Sequence, residues 1–385
     1  MKNISVKFSA LMVPYFAMWA IGPGFFAVFL QQKGIAANET AIYSCLVSLT
    51  AAAAQPFVGY LCDKTGKAKT ILSAGGIGSV LAYIWLYFLD DKISLLICSM
   101  LIGLTINAVY GFSESWLTKL DCAKLGVNFG AVRSVGSLSY AVAAAIYGRV
   151  YDAFGPVSMP IAMAIGCALL VPAAAVCPNP NVDTADRQKV NIGLVFKQLM
   201  KNKRFVLVVV CYALAVMPTG AATTYYALHV RNLGGTAGDV GLSLFILAGT
   251  EFLTMPFYKR LERKFGTEKM LIFAFFMFGV KNVCIGFSTT VTMALLAAVT
   301  QGFNFAFALP GVQSYVDKIT PREYAATAQL VSNTVGQIVS QILGLAICGV
   351  LTTFIPVGTA LAVLSIPAFV SSAVFFVGSK NLGKV

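Results

Sequence analysis

Apolar residues gather in long runs along this chain, and polar residues arrive in short bursts between them. Residues 40–62 carry no charged side chain, and then one aspartate and three lysines fall within 63–69. A helix needs about 20 predominantly apolar residues to cross the hydrocarbon core of a bilayer. Twelve stretches meet that requirement: 8–31, 40–62, 70–89, 93–116, 132–153, 157–177, 205–228, 240–258, 269–287, 291–316, 325–350 and 354–377. From Tyr324 to Ser379 no residue is charged, a length that fits two spans with a turn near Pro356. Strands of a membrane barrel would alternate apolar and polar positions over about ten residues, and these runs do not. The pattern predicts an all-α membrane protein with twelve transmembrane helices.

Composition agrees, at 58% apolar and 11% charged, where a soluble domain carries about 25% charged residues. Met1 to Lys7 leads straight into a span too long for a signal peptide, with no small-residue cleavage pattern after it. The nine cysteines are scattered, without a CxxC pair, so neither a disulfide framework nor a metal site is expected. No HExxH, GxSxG or Walker pattern is present. Neither an enzyme nor a cofactor site is expected. The glycine run "SAGGIGSV" at 73–80 lies in the third span and is read as close helix packing.

A net charge of +13 raises the question of a nucleic-acid partner, and its distribution answers it. With the N-terminus inside the cell and each span reversing direction, 22 of the 28 lysines and arginines fall on inside segments. This is the asymmetry that orients membrane proteins. The charge sets topology and places both termini in the cytoplasm, with the protein in the cell (inner or plasma) membrane, in contact with lipid and without nucleic acid.

One long polar segment, about 178–204, divides the spans six and six. It contains the basic stretch "VFKQLMKNKR". The expected organisation is an N-terminal bundle over 1–178, a linker over 179–204 and a C-terminal bundle over 205–385. The two bundles share a register. Pro56, Phe57, Leu61, Lys64, Gly66 and Lys69 recur 200 residues later as Pro256, Phe257, Leu261, Lys264, Gly266 and Lys269. A second match, offset by 199, pairs Gly103, Ser115, Trp116 and Lys119 with Gly302, Ser314, Tyr315 and Lys318. Two pseudo-symmetric six-helix units around a central site near mid-membrane are a signature of secondary carriers. A channel is the rival, which labelled-substrate exchange would separate from a carrier.

These residues carry a family resemblance. "GYLCDKTGKAK" (59–69) resembles the loop between helices two and three of the major facilitator superfamily. "QPFVGYLCDKTGKAKTIL" is similar to the lactose permease and its oligosaccharide–proton symporter relatives. "FGAVRSVGS" (129–137) resembles the start of their fifth helix and that of the phenylpropionate-type permeases. "GTEKMLIFAFFMFGVK" (266–281) resembles the ninth-helix spacing. The resemblance spans essentially the whole chain. It implies a carrier that functions as a monomer and takes a small-molecule substrate together with protons.

Within the conserved-looking phrase, Gly59 is expected to permit close helix contact and Gly66 a tight turn. Asp63, with Lys64 beside it, is expected to gate; a solvated, topology-setting loop is the alternative. Ionisable side chains inside a span are costly and point to function. Glu114, Arg133, Glu251 and Lys281 are the clear ones, one acid and one base per half. The resemblance implies that Glu114 and Arg133 bind sugar hydroxyls, although Glu114 sits one residue out of register; a structural ion pair is the alternative. Tyr140, seven residues after Arg133 on the same helical face, takes the place of a tryptophan that stacks on the sugar, or else is a packed aromatic. Lys281 stands where the family has an arginine. Glu251 lies three residues beyond the family's eighth-helix glutamate. Gln301 and Asn304 stand where the family has a histidine and a proton-carrying glutamate, and neither amide titrates. Proton coupling therefore falls to Glu251 or Glu114. His229, the one histidine in the chain, is expected at the membrane interface.

The expected function is proton-driven uptake of a sugar or glycoside by alternating access. A carrier of small organic anions using Arg133 and Lys281, a uniporter or exchanger without proton coupling, and a multidrug exporter are the alternatives.

Overall fold

Inside a bilayer every backbone N–H and C=O must be paired within its own segment, which a helix achieves alone. A computed structural model of the chain describes residues 2–109, 116, 129–179, 192–321 and 325–382, and these contain helices and turns but no strand. Ten of the described segments are long and apolar enough to cross a membrane. One of them, Val132–Val176, is 45 residues long and folds as two helices, because the chain turns at Gly155 with φ +68°. The shorter apolar helix Lys92–Gly103 covers the described start of the fourth expected span.

The first half holds α1 (Lys2–Gln32), α2 (Ala37–Thr65), α3 (Ala68–Phe88), α4 (Lys92–Gly103), α5 (Phe129–Phe154) and α6 (Ser158–Val176). After α7 (Ile192–Lys201) come α8 (Lys203–Asn232), α9 (Ala237–Thr254), α10 (Tyr258–Phe265), α11 (Thr267–Gly286) and α12 (Val291–Ala298). The chain continues as α13 (Gln301–Ile319), α14 (Ala325–Asn333), a π-helical turn at Thr334–Val339, α15 (Ser340–Leu351), α16 (Val357–Val363) and α17 (Ile366–Leu382). Pro356 caps the start of α16, so the uncharged stretch does turn there.

The duplication extends to backbone conformation. Gly66 and Gly266 both stand at positive φ, +65° and +86°. Each donates its N–H to the carbonyl four residues back, Cys62 and Glu262, at 2.8 Å. Gly34 and Gly234 form a second pair 200 residues apart, at φ +80° and +84°. A β-carbon is strained at such positions, and glycine is not.

The chain divides into two compact units, Met1–Ala185 with Gly234–Phe245, and Asp186–Leu233 with Ile246–Val385. In the first, α1 packs along α5 and α6, α3 packs on α6, and α2 on α4. In the second, α8 has the corresponding role, packing on α15 and α17, while α11 packs on α13 and α17.

The glycine run behaves as expected. A Cβ on Gly76 would stand 2.9 Å from Leu170 of α6, and one on Gly78 3.1 Å from Thr105. Gly59 does not. Among the described residues nothing lies within 4 Å of a Cβ there, and its neighbours Phe57 and Tyr60 are exposed. A close contact of α2 is made by Gly103 of α4, whose Cβ would stand 2.5 Å from the Val47 carbonyl oxygen. His229, three residues before the end of α8, is buried, with Nε2 3.0 Å from Ser288 Oγ.

The tightest helix pair is α8 with α15. A Cβ on Gly344 would lie 1.9 Å from the Met217 carbonyl oxygen, and one on Gly220 1.8 Å from that of Gln341. Backbone cannot yield to such an overlap without separating the helices. Gly344→Leu is therefore expected to vanish from the monodisperse peak in size-exclusion chromatography. Gly249→Ala, whose Cβ meets nothing within 4 Å among the described residues, should melt at the wild-type temperature. Normal recovery of Gly344→Leu would disprove the close approach.

Candidate functional site

In the second unit, three predicted residues from three helices form one polar chain. Lys281 on α11 is 2% exposed, and its Nζ donates to Gln301 Oε1 at 2.8 Å. The same amide donates through Nε2 to Glu251 Oε1 on α9. One side chain thus accepts from the cation and donates to the anion, using both ends of the amide.

Local sequence explains why Gln301 reaches both. The span breaks after Ala298, and Gln301 opens the new helix α13. The next residue is Gly302, where a Cβ would stand 2.8 Å from the Thr250 carbonyl oxygen. With no side chain there, α13 approaches α9 closely enough for Thr254 Oγ1 to donate to the Gly302 carbonyl at 2.5 Å. This approach places Gln301 beside Glu251.

Two buried amides flank the chain in sequence. Asn304, one turn beyond Gln301, is fully buried; its Oδ1 accepts from the Phe305 N–H, and its Nδ2 has no partner among the described residues. Asn282, next to Lys281, donates to the Phe278 carbonyl at 3.0 Å while its Oδ1 is unpartnered among the described residues. An unmade buried hydrogen bond costs about 1–3 kcal/mol.

In the first unit, α5 carries Arg133 and Tyr140. The Arg133 guanidinium lies over the Phe16 ring, 4.6 Å from its centroid, and donates to Ser137 Oγ at 3.0 Å. Gly136 makes this possible, since a Cβ there would stand 2.5 Å from the Phe16 ring. Tyr140 is half-buried two turns along, with its hydroxyl 3.6 Å from where a Cβ on Gly24 would stand. Glu114 lies outside the described residues. So does the side chain of Asp63; beside it, Lys64 is exposed and lies 5.9 Å from the Tyr60 ring centroid.

Sequence reading passed over four residues. Phe16 is one aromatic among 28 phenylalanines, and Ser137 is an ordinary serine in a helix. Glu262 collects Thr267 Oγ1 at 2.7 Å, Ser314 Oγ at 2.5 Å and Lys318 Nζ at 3.4 Å. Ser314 and Lys318 belong to the second repeat match, which was the available signal. Asp152, at the end of α5, accepts from the Ala237 and Gly238 N–H groups at 2.8 and 2.7 Å. Its carboxylate therefore caps the first turn of α9, a favourable place for negative charge. Both partners belong to the first unit.

This architecture has known counterparts. Residues 6–359 match the MFS_1 like family. The maltose permease of Geobacillus stearothermophilus is 26% identical over 330 residues, covering 84% of this chain and 81% of that protein. The multidrug resistance protein MdtG of Proteus mirabilis (strain HI4320) is 24% identical over 282 residues, covering 68% of this chain and 69% of that one. The crystal structure of the nucleoside transporter NupG gives a TM-score of 0.80 over 98% of this chain and 99% of that one, at 14% identity; this is a likeness of fold. The protein is a multi-pass membrane transporter of the major facilitator type. It belongs to the MFS_1 like family.

Proposed function

We propose that the protein carries a neutral polar solute, a sugar or glycoside, by alternating access with proton symport. The Lys281–Gln301–Glu251 chain is the observation that supports this most. Sugar hydroxyls both donate and accept hydrogen bonds, and the chain offers an ammonium donor, a carboxylate acceptor and an amide that does both. Its charges balance within itself, which favours a neutral solute over an anion. Arg133 with its Phe16 platform and Tyr140 supply a guanidinium and an aromatic face in the first unit. Asn304, buried one turn beyond Gln301, adds an amide donor once the site opens. The maltose permease relative leans the same way. Glu251 carries the proton, with Glu114 as the second candidate, and Asp63, Lys64 and Gly66 gate the exchange. The protein acts as a monomer in the cell membrane with both termini in the cytoplasm.

The test uses purified protein in two formats. A thermal-shift screen over neutral sugars, nucleosides, aromatic acids and lipophilic cations should find stabilisation by a neutral sugar. A ligand at a hundred times its Kd contributes about 2.7 kcal/mol. In proteoliposomes that sugar should drive counterflow of its labelled form, and uptake should alkalinise the outer medium. Stabilisation by aromatic acids alone would replace the sugar reading with an anion carrier. Stabilisation by lipophilic cations alone would replace it with an exporter.

A further inference from the structure

A groove of about 480 Å³ opens where α8 meets α17, bordered by Met200 at the end of α7. That volume is within the ~300–1,000 Å³ of small-molecule sites. Its two ends differ in chemistry. Lys203, the first residue of α8, and Asn381, one residue before the end of α17, stand at one end and are exposed. From there the walls are Val206, Val210 and Val374, the last two about half exposed, and Leu207 packs close on Gly378, where a Cβ would stand 2.7 Å from its Cδ2. At about 1.5 Å per residue, the groove follows α8 for roughly 10 Å from its basic end into the span.

This layout matches the layers of a bilayer. Span ends lie at the headgroups, and the valine-lined part lies at hydrocarbon depth. The basic end is reinforced by exposed Lys197 and Lys201 on α7, and among the described residues no acidic side chain lines the groove. Arg204 donates to the Leu382 carbonyl at 2.5 Å, which braces the end of α17, and among the described residues Lys203 is the cation that lines the groove. We propose that this groove binds one anionic phospholipid, its acyl chain along Val206, Val210 and Val374 and its phosphate on Lys203 and Asn381. Charge complementarity selects an anionic headgroup over a zwitterionic one, because each lysine near such a headgroup adds attraction.

Native mass spectrometry of the full-length protein tests this with phosphatidylglycerol, phosphatidylcholine of the same chains, and glycerol 1-phosphate. The wild type is expected to retain one phosphatidylglycerol in preference to phosphatidylcholine, and no glycerol 1-phosphate. Lys201→Gln with Lys203→Gln should cut that retention about tenfold or more, with the lipid-free melting temperature unchanged. Val374→Trp, and separately Val210→Trp, should abolish retention by filling the groove while leaving its charge intact; both positions are exposed, so the fold should survive. Equal retention of phosphatidylcholine, or undiminished retention by both tryptophan variants, overturns the proposal. Binding of glycerol 1-phosphate alone overturns it too, since the site would then hold an anion and not a lipid. None of these readouts depends on which solute is carried.

Discussion

The Glu251→Gln variant is expected to lose uphill accumulation while still exchanging solute across equal gradients. Symport requires a group that takes up and releases a proton as the site changes sides. Gln301 and Asn304 cannot do so, and the Arg133 guanidinium stays charged. Glu251 is the carboxylate tied into the buried chain through Gln301. A glutamine in its place preserves an acceptor for the Gln301 amide, so the geometry that contacts solute is retained while the titrating group is gone. The same change removes the charge that balances Lys281 through Gln301, and leaves the buried ammonium without its counter-charge. Glu251→Gln should therefore melt well below the wild type. Replacing both partners of a buried pair is far less costly than removing one, so Glu251→Gln with Lys281→Met should regain most of that loss. Accumulation should not return with it. Together with counterflow, which reports what the missing Lys281 ammonium costs in binding, the two readouts separate a coupling role from a merely structural one: if stability and accumulation recovered together in the double variant, the pair would be structural and Glu114 or another ion would carry the coupling. If the single variant accumulated solute under a pH gradient, Glu251 would be excluded as the carrier.

How much of this was legible in the sequence depended on what each feature costs. Charges inside apolar runs are expensive wherever the helices pack, so Arg133, Glu251 and Lys281 stood out without any coordinates. The bridging role of Gln301 did not. It depends on the missing side chain of Gly302 letting α13 approach α9, a contact between residues far apart in the chain. The repeat was visible at Gly66 and Gly266 because lysines and a proline recur around them. At Gly34 and Gly234 the flanking residues differ, and only the shared positive φ reveals the match. Gly103 shows a related limit: a helical glycine shows that space can be given up, but not that the Val47 carbonyl occupies it. Asp152 was passed over because its partners are backbone N–H groups 85 and 86 residues away, which no side-chain pattern marks.

Arg133→Ala is expected to abolish transport while leaving the protein in the membrane at normal abundance. The arginine sits on α5 against the ring of Phe16, and the face-on contact at 4.6 Å holds the guanidinium plane in place. A cation–π contact is worth about 0.5–2 kcal/mol, so the platform serves orientation more than stability. Orientation matters because a guanidinium presents its donors as a rigid fork, and two parallel bonds to adjacent hydroxyls require that fork to be aimed. Lysine keeps the charge but has neither the plane nor the fork. Arg133→Lys should therefore fold normally and restore only a small part of counterflow. Phe16→Leu removes the platform and leaves the arginine; it should weaken apparent sugar affinity several-fold to about tenfold, with a smaller effect on the maximal rate. That ordering, with alanine worst, lysine little better and the Phe16 variant mildest, is what a positioned binding arginine requires. Full counterflow by Arg133→Lys would reduce the residue to a point charge, and wild-type uptake by Arg133→Ala would remove it from the site.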